Sequence, residues 1–195
     1  MSVAANDKSI SQPASRFPWY EIVEGDELEQ GDIFEQCPIF KIESPFSYEE
    51  FCAADFEPQF KNWTYDVIVI TQSCDLVKGH PKVEEVLLCA MWQLDELAQE
   101  NDFVRHAKGR EEIRRGNVPG FHMLNASVLP DFERPIRVII FQRVSSFPLT
   151  FLRSMAQACG PRLRLLPPYR EHLGQAFARY FMRVGLPVDI PAFTK

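Results

Sequence analysis

The chain has 195 residues, 46% of them hydrophobic and 12% aromatic, and carries a formal net charge of −6. A chain of this length can bury a core without metals or disulfides, and its five cysteines include no CxxC pair, which argues against a disulfide framework. No apolar run approaches the ~20 residues that span a bilayer, and no basic-plus-apolar export signal opens the sequence. We therefore expect a soluble, cytoplasmic protein with no membrane association.

Charge is distributed unevenly along the chain. Residues 1–100 carry 6 Lys/Arg and 20 Asp/Glu, whereas residues 101–195 carry 15 and 7. The commoner interpretation is that the two halves pack together and neutralise each other. The alternative is a basic face that meets phosphate or an acidic partner. Arginine, which supplies most of the positive charge in the second half, suits both packing and phosphate contacts.

The N-terminal third contains one predicted strand. Residues 1–16 are predicted to be disordered because Ser, Ala, Asn and Gln leave little to bury, and residues 17–195 are predicted to form a single domain. The first strand follows the GDIF turn at 31–34 and runs to Ile42. Residues 44–64 are aromatic and acidic without a clean period, which predicts a long loop with a short helix.

The clearest strand covers residues 65–71, where a β-branched run is apolar on both faces and therefore predicts a central position in a sheet. It ends at the polar sequence TQSCD, residues 71–75. Residues 76–82 contain glycine and proline and are predicted to continue this loop. A second buried strand is predicted at 83–91.

The second half of the chain is predicted to alternate helices and strands. Residues 93–116 form a predicted helical insertion that ends at Gly116. Beyond it the pattern predicts, in order, strands at 120–128 and 135–142, a helix at 147–160, and an edge strand or extended link at 162–166. The last helix, at 167–184, starts with two prolines and repeats apolar side chains at helical spacing, which predicts an amphipathic C-terminal helix.

Two resemblances follow from this order of motifs. The GDIF turn, the VIVIT strand and the VEEVLLCAM strand, within residues 30–92, resemble the MazF/PemK/CcdB toxin group. This resemblance implies an α+β fold with a small SH3-like (MazF/PemK-like) β-barrel and peripheral helices. The motifs GDIF, ITQSCDL and RLLPPYREHLGQAFARYFMRVGLP resemble an uncharacterised bacterial family with a TQSCD-type loop, over most of the chain. Some members of that family appear in loci associated with phage defence.

The sequence departs from the toxin group at the catalytic positions of that group. MazF-type ribonucleases place an arginine just before the second strand, where this chain has Tyr65 or Asp66. They place a threonine or serine on the following strand, where this chain has Ala90 or Met91. The resemblance therefore implies a barrel without the residues of that RNA-cleavage mechanism.

Cys74 is the candidate nucleophile. A thiol at the end of a buried strand can react if a base activates it, and either His80 or His122 could face it after folding, with Asp75 as the orienting carboxylate. Against this interpretation, cysteine commonly packs as a small hydrophobe, and a carboxylate disfavours a neighbouring thiolate. The favoured interpretation is a binding loop, in which Gln72, Ser73 and Asp75 shape a polar tip.

Metal and phosphate sites are further alternatives. Four side chains have suitable chemistry for zinc: Cys74, His80, Cys89 and His122. Their spacing is not that of known zinc ligands, so the sequence predicts neither a metal site nor a cofactor. A candidate phosphate-binding set lies near the C-terminal helix and consists of Arg162, Arg164 and Arg170, with Tyr169 available for stacking.

The leading hypothesis is a non-enzymatic binding or regulatory module that recognises a protein partner, in a bacterial toxin or phage-defence system. Its recognition surface would be the 72–80 loop together with the aromatic segment that precedes it. The alternative role of that aromatic segment is to cap the hydrophobic core. One alternative is a toxin-like endoribonuclease or nucleic-acid-binding protein, and another is a cysteine-dependent hydrolase that uses Cys74.

Overall fold

A computed structural model of the protein describes residues 17–42, 47–54, 56–57 and 59–182. The segment predicted to be disordered, residues 1–16, lies outside the described residues, as does the end of the predicted last helix. The fold is α+β, as predicted, with a mostly antiparallel sheet and several helices. No helix in the described part of the chain is long and apolar enough to cross a membrane.

The elements are numbered in chain order. The strands are β1 (Tyr20–Val23), β2 (Ile33–Ile42), β3 (Phe60–Val69), β4 (Glu85–Gln93), β5 (Phe121–Leu124), β6 (Ser127–Leu129), β7 (Phe132–Arg134), β8 (Arg137–Pro148) and β9 (Arg162–Leu165). The helices are α1 (Tyr48–Phe51), α2 (Leu94–Glu100), α3 (Asp102–Arg105), α4 (Ala107–Arg114), α5 (Leu149–Cys159) and α6 (Tyr169–Phe181).

The main sheet has five antiparallel strands in the order β2-β3-β4-β8-β5, and two smaller pairs, β1-β9 and β6-β7, accompany it. The described strands do not close into a barrel, because β2 and β5 remain the edges of the main sheet. The SH3-like barrel implied by the family resemblance is therefore not confirmed.

Both faces of the main sheet are covered, which explains why β3 is apolar on both sides. Val67 and Val69 face a core that α5 completes, whereas Ile68 and Ile70 face a second core completed by β1, β9 and α6. A third cluster lies under the helical insertion, α2 to α4. The central position predicted for this strand is confirmed, and it depends on neighbours from both halves of the chain.

The prediction for residues 44–64 was wrong at its C-terminal end. β3 begins at Phe60 and pairs with β2 in a long hairpin, in which Lys41 lies opposite Lys61 and Ile39 opposite Trp63. Much of this part of β3 is exposed, so it lacks the buried apolar pattern that reveals a strand in the sequence.

The predicted strand at 120–128 was also wrong in extent. β5 leaves the main sheet after Leu124, and the chain then forms the separate hairpin β6-β7, whose turn holds Asp131 at φ 65°. β8 continues to Pro148, where α5 follows at once, so the strand predicted at 135–142 was too short.

Gly31 explains how the GDIF turn connects the main sheet to the β1-β9 pair. Its φ is +91°, and a Cβ atom there would lie 2.8 Å from the Cβ of Leu165 on β9. Its carbonyl accepts from Leu165 N at 3.0 Å, and its own N–H donates to Val69 O at 2.9 Å. Only glycine combines this backbone conformation with so close an approach.

Candidate functional site

The TQSCD loop lies at the end of β3 and is held by its own polar side chains. The Thr71 hydroxyl accepts from the backbone N of Leu87 at 2.8 Å. The Ser73 hydroxyl accepts from the backbone N of Gln30 at 3.1 Å, and a single 3-10 turn spans Ser73–Asp75. The Ser73 hydroxyl accepts a backbone N–H, as predicted, but the donor belongs to a distant segment. The bond therefore attaches the loop to the residues that precede β2.

Leu76 anchors the second half of the loop. Its side chain is buried among the residues of the α5-side core, and its carbonyl accepts from Arg153 of α5 at 3.1 Å. Lys82 N donates to the Asp75 carbonyl at 2.9 Å, and the Lys82 ammonium lies 3.5 Å from the Asp75 carboxylate. These contacts hold the loop while the side chains of Cys74, Val77 and His80 remain exposed.

The Cys74 sulfur lies beside acceptors. Gln72 Oε1 is 3.8 Å from Sγ and Asp75 Oδ1 is 3.6 Å away. Among the described residues, no histidine is a hydrogen-bond partner of this thiol. Activation of a cysteine requires a base or a cation next to the sulfur, and this loop supplies a carboxylate and an amide oxygen.

The other members of the proposed zinc and catalytic sets are dispersed. His80 is exposed on the loop, whereas His122 lies on β5 and its ring packs 6.2 Å from that of Phe141. Burial, with a smaller contribution from the charge of His172, lowers the pKa of His122 to about 4. Cys89 is buried in the core, where desolvation raises its pKa to about 12. The structure therefore does not bring these groups together around Cys74.

The positions that the resemblance to the toxin group would align with its catalytic residues hold structural side chains. Asp66 accepts from the backbone N of Gln36 at 3.0 Å and so supports the irregular stretch of β2. Ala90 and Met91 are buried in β4. None of these side chains can serve as an exposed cation or hydroxyl at a phosphate.

A buried ion network lies beneath the loop. Asp32, from the GDIF turn, is completely buried. Arg162 donates to its Oδ2 from Nε at 3.1 Å and from Nη2 at 2.9 Å, and Arg164 donates to both carboxylate oxygens. The two arginines also donate to the backbone carbonyls of Gly25 and Glu27. The pKa of Arg164 is raised: burial acts to lower it, but the hydrogen bonds and charge of Asp32, with the charge of Glu29, outweigh that effect.

Glu29 connects this network to the TQSCD loop. It accepts from Arg164 at 2.9 Å and from Arg170 at 2.7 Å, and the Ser73 hydroxyl donates to it at 3.4 Å. The arginines predicted to bind phosphate are therefore occupied by carboxylates of the same chain, and two of the three are buried. This placement favours the packing interpretation of the charge asymmetry.

Sequence reasoning missed Asp32 and Glu29. Asp32 was treated as part of the GDIF turn and Glu29 was given no role, although both neutralise arginines 130 or more residues away. The available signal was the alternation of Arg162-Leu163-Arg164-Leu165. On a strand, this pattern sends both arginines to one face, where buried carboxylates must meet them.

A shallow hollow of about 450 Å³ adjoins the loop. It lies between the acidic segment that precedes β2 and the exposed side of the loop. Its lining consists of Glu27, Leu28, Glu29, Ser73, Cys74, Leu76, Val77 and Lys78. The Lys78 ammonium is held at 2.8 Å by Asp26, which connects the two walls.

Thiol labelling tests whether Cys74 is activated. We expect a small alkylating reagent at neutral pH to modify Cys74 at a rate comparable to Cys52 and Cys159, because all three are exposed and the described hydrogen-bond partners of the Cys74 sulfur include no histidine. Cys37 and Cys89, whose pKa values are raised by burial to about 11 and about 12, should react only after unfolding. Mass spectrometry of timed samples measures each site, and selective reaction of Cys74 ahead of the other exposed thiols would contradict this picture.

No protein-family model matches this chain, and no curated protein is similar to it at a significant level.

Proposed function

We propose that this protein is a non-enzymatic binding module that recognises a protein partner through the 72–80 loop and the adjoining hollow. The observation that carries the proposal is the way the loop is held. Ser73 and Leu76 anchor it from below, and Cys74, Val77 and His80 are displayed to solvent. A loop already held in one conformation loses little entropy on binding, which favours recognition.

The chemistry of the surface favours a partner segment with an apolar anchor and basic flanks. Val77 is 50% exposed beside the hollow. The neighbouring segment before β2 exposes Glu24 and Glu27. A buried apolar contact surrounded by charged groups is the usual plan of a protein interface.

Enzymatic alternatives have less support. A cysteine-dependent hydrolase needs a base at Cys74, and the described neighbours of its sulfur are Gln72 and Asp75. A toxin-like ribonuclease needs a cation and a hydroxyl where this chain has Tyr65 or Asp66 and Ala90 or Met91. Binding without chemistry is therefore the simpler function for this surface.

The proposal retains the relationship to the toxin group. Its support is that β2, β3 and β4 are consecutive antiparallel neighbours, with the GDIF turn at the start of β2 and the TQSCD loop between β3 and β4. In this proposal the main sheet is an opened relative of the SH3-like barrel, widened by β8 and β5.

Val77→Asp tests the proposed interface. We expect a complex with the product of a neighbouring gene, formed on co-expression, to weaken by at least about 30-fold, because a carboxylate would have to be desolvated at a central apolar contact. Calorimetry measures the dissociation constant. The matched control is Val128→Asp, on β6 and 84% exposed, which should leave it unchanged. The proposal fails if no neighbouring gene product binds, or if Val77→Asp binds as tightly as the unchanged protein.

A further inference from the structure

A groove of about 590 Å³ lies on the main sheet, over part of the β2-β3 hairpin and beside α2. Its lining consists of Lys41, Ile42, Lys61, Trp63, Tyr65, Trp92, Leu97, Glu100, Ile140 and Arg143. None of these residues belongs to the 72–80 loop or to the hollow beside it. The groove is therefore a separate surface from the proposed protein-binding site.

Three aromatic rings line the groove because of strand geometry. Trp63 and Tyr65 are two residues apart on β3, so their side chains point to the same face of the sheet. Their rings are 6.4 Å apart at an angle of 11°. The Trp92 ring, from the adjacent strand β4, meets Tyr65 edge to face at 5.4 Å. Trp63 is 48% exposed, so this aromatic surface is accessible to a ligand.

Positive charge surrounds these rings. The Lys41 ammonium lies 6.0 Å from the centre of the Tyr65 ring, and the Arg143 guanidinium lies 5.2 Å from that of Trp92. Lys61 lies directly opposite Lys41 in the β2-β3 register.

The local charge is opposite to that of the whole protein. The groove contains three cations and one carboxylate, Glu100, whereas the chain has a net charge of −6. The combination of flat aromatic faces and cations matches a ligand that has both aromatic rings and negative charges. Single-stranded nucleic acids meet this description, because their bases stack and their phosphates bind lysine and arginine.

We propose that this groove binds single-stranded nucleic acid, with a base stacked on the exposed ring of Trp63, beside Tyr65 and Trp92, and phosphates held by Lys41 and Arg143. A duplex is a poor ligand for this surface, since its bases are stacked on each other and hide their faces from the protein rings. An acidic peptide would use the cations but leave the aromatic faces without a matching partner.

The experiment measures fluorescence anisotropy of labelled poly-dT and poly-U oligonucleotides with the full chain. We expect both single strands to bind more tightly than a duplex of the same length. With two phosphate contacts, from Lys41 and Arg143, the logarithm of the binding constant should fall with the logarithm of salt concentration with a slope of about −1.4, from roughly 0.7 per contact on a single strand. Comparing the two oligonucleotides decides between DNA and RNA as the preferred ligand.

Two pairs of variants test the roles of the rings and the cations. Trp63→Ala should weaken binding by about tenfold or more, because stacking on one aromatic ring contributes a factor of roughly 5 to 150. Its control is Phe103→Ala, an aromatic side chain of similar exposure, 45%, on α3. Arg143→Gln should reduce the steepness of the salt slope by about 0.7, whereas Lys108→Gln on α4 should not change it.

Three results would overturn the proposal. The first is no binding of either single strand at low salt, and the second is unchanged affinity in Trp63→Ala whose circular dichroism matches the unchanged protein. The third is equally tight binding of poly-glutamate that does not depend on Trp63, which would make the groove a site for acidic peptides. Because Val77 does not line the groove, Val77→Asp should leave oligonucleotide binding intact, so the two proposals can fail separately.

Discussion

Replacing Asp32 by asparagine should lower the free energy of unfolding by about 3–5 kcal/mol, the range for removal of one partner from a buried ion pair. Asp32 is completely buried and accepts from both Arg162 and Arg164. An amide has nearly the same size but no charge, so Arg162 would lose its carboxylate partner and keep backbone carbonyls, and Arg164 would lose one of its two carboxylate partners and keep Glu29. For a domain with a total stability of roughly 5–15 kcal/mol, this is a large fraction.

Urea unfolding followed by circular dichroism measures this effect. In a thermal scan it should appear as a fall in Tm of roughly 10 °C, since a domain of this size loses about 2–4 °C per kcal/mol. The matched control is Asp26→Asn, in the same acidic segment. Its partner is the exposed Lys78, so we expect a much smaller change. Equal effects of the two substitutions would show that the buried network does not stabilise the fold as described.

The second large effect concerns pH. Unfolding free energy should fall by about 3 kcal/mol more in the unchanged protein than in His122→Phe as pH drops from about 6.5 to about 4. The folded state keeps His122 neutral because burial lowers its pKa to about 4, whereas the unfolded chain binds a proton below about 6.5. The unfolded state therefore binds more protons in this window, and acidification favours it. Below about pH 4 both states are protonated and this contribution stops changing.

Urea titrations at several pH values measure the difference between the two proteins, which removes the background from titrating carboxylates. Phenylalanine keeps a ring against Phe141 but cannot bind a proton. His80→Gln is the control for the loss of a histidine, because His80 is exposed on the 72–80 loop. Parallel pH profiles for His122→Phe and the unchanged protein would mean that His122 is protonated equally in both states.

Local patterns predicted the elements whose structure depends on nearby residues. The apolar run at Val67 to Ile70 identified a central strand, and the polar residues after it identified an accessible loop, as the burial of the strand and the exposure of Cys74 show. The helical insertion was predicted from its polar composition, and the structure divides it into three short helices. The last helix was predicted from two prolines and an apolar face to start at residue 167, and it starts at Tyr169.

Boundaries and pairings were harder to predict. β1 has four residues and is stabilised by β9, whose sequence lies far along the chain. The first half of β3 is exposed and is a strand because β2 pairs with it. A sequence pattern records which residues avoid water but not which distant strand supplies hydrogen bonds, so elements that depend on a partner were missed or shortened.

The sequence by itself determined the α+β composition, the central strand and the exposed TQSCD loop, because side-chain periodicity and turn residues act over a few positions. Only the tertiary structure decided that Arg162 and Arg164 neutralise Asp32, that His122 packs against Phe141, and that Trp63, Tyr65 and Trp92 share a groove with cations. Those arrangements join segments far apart in sequence, and their energies depend on burial and distance, which exist only after the chain has folded.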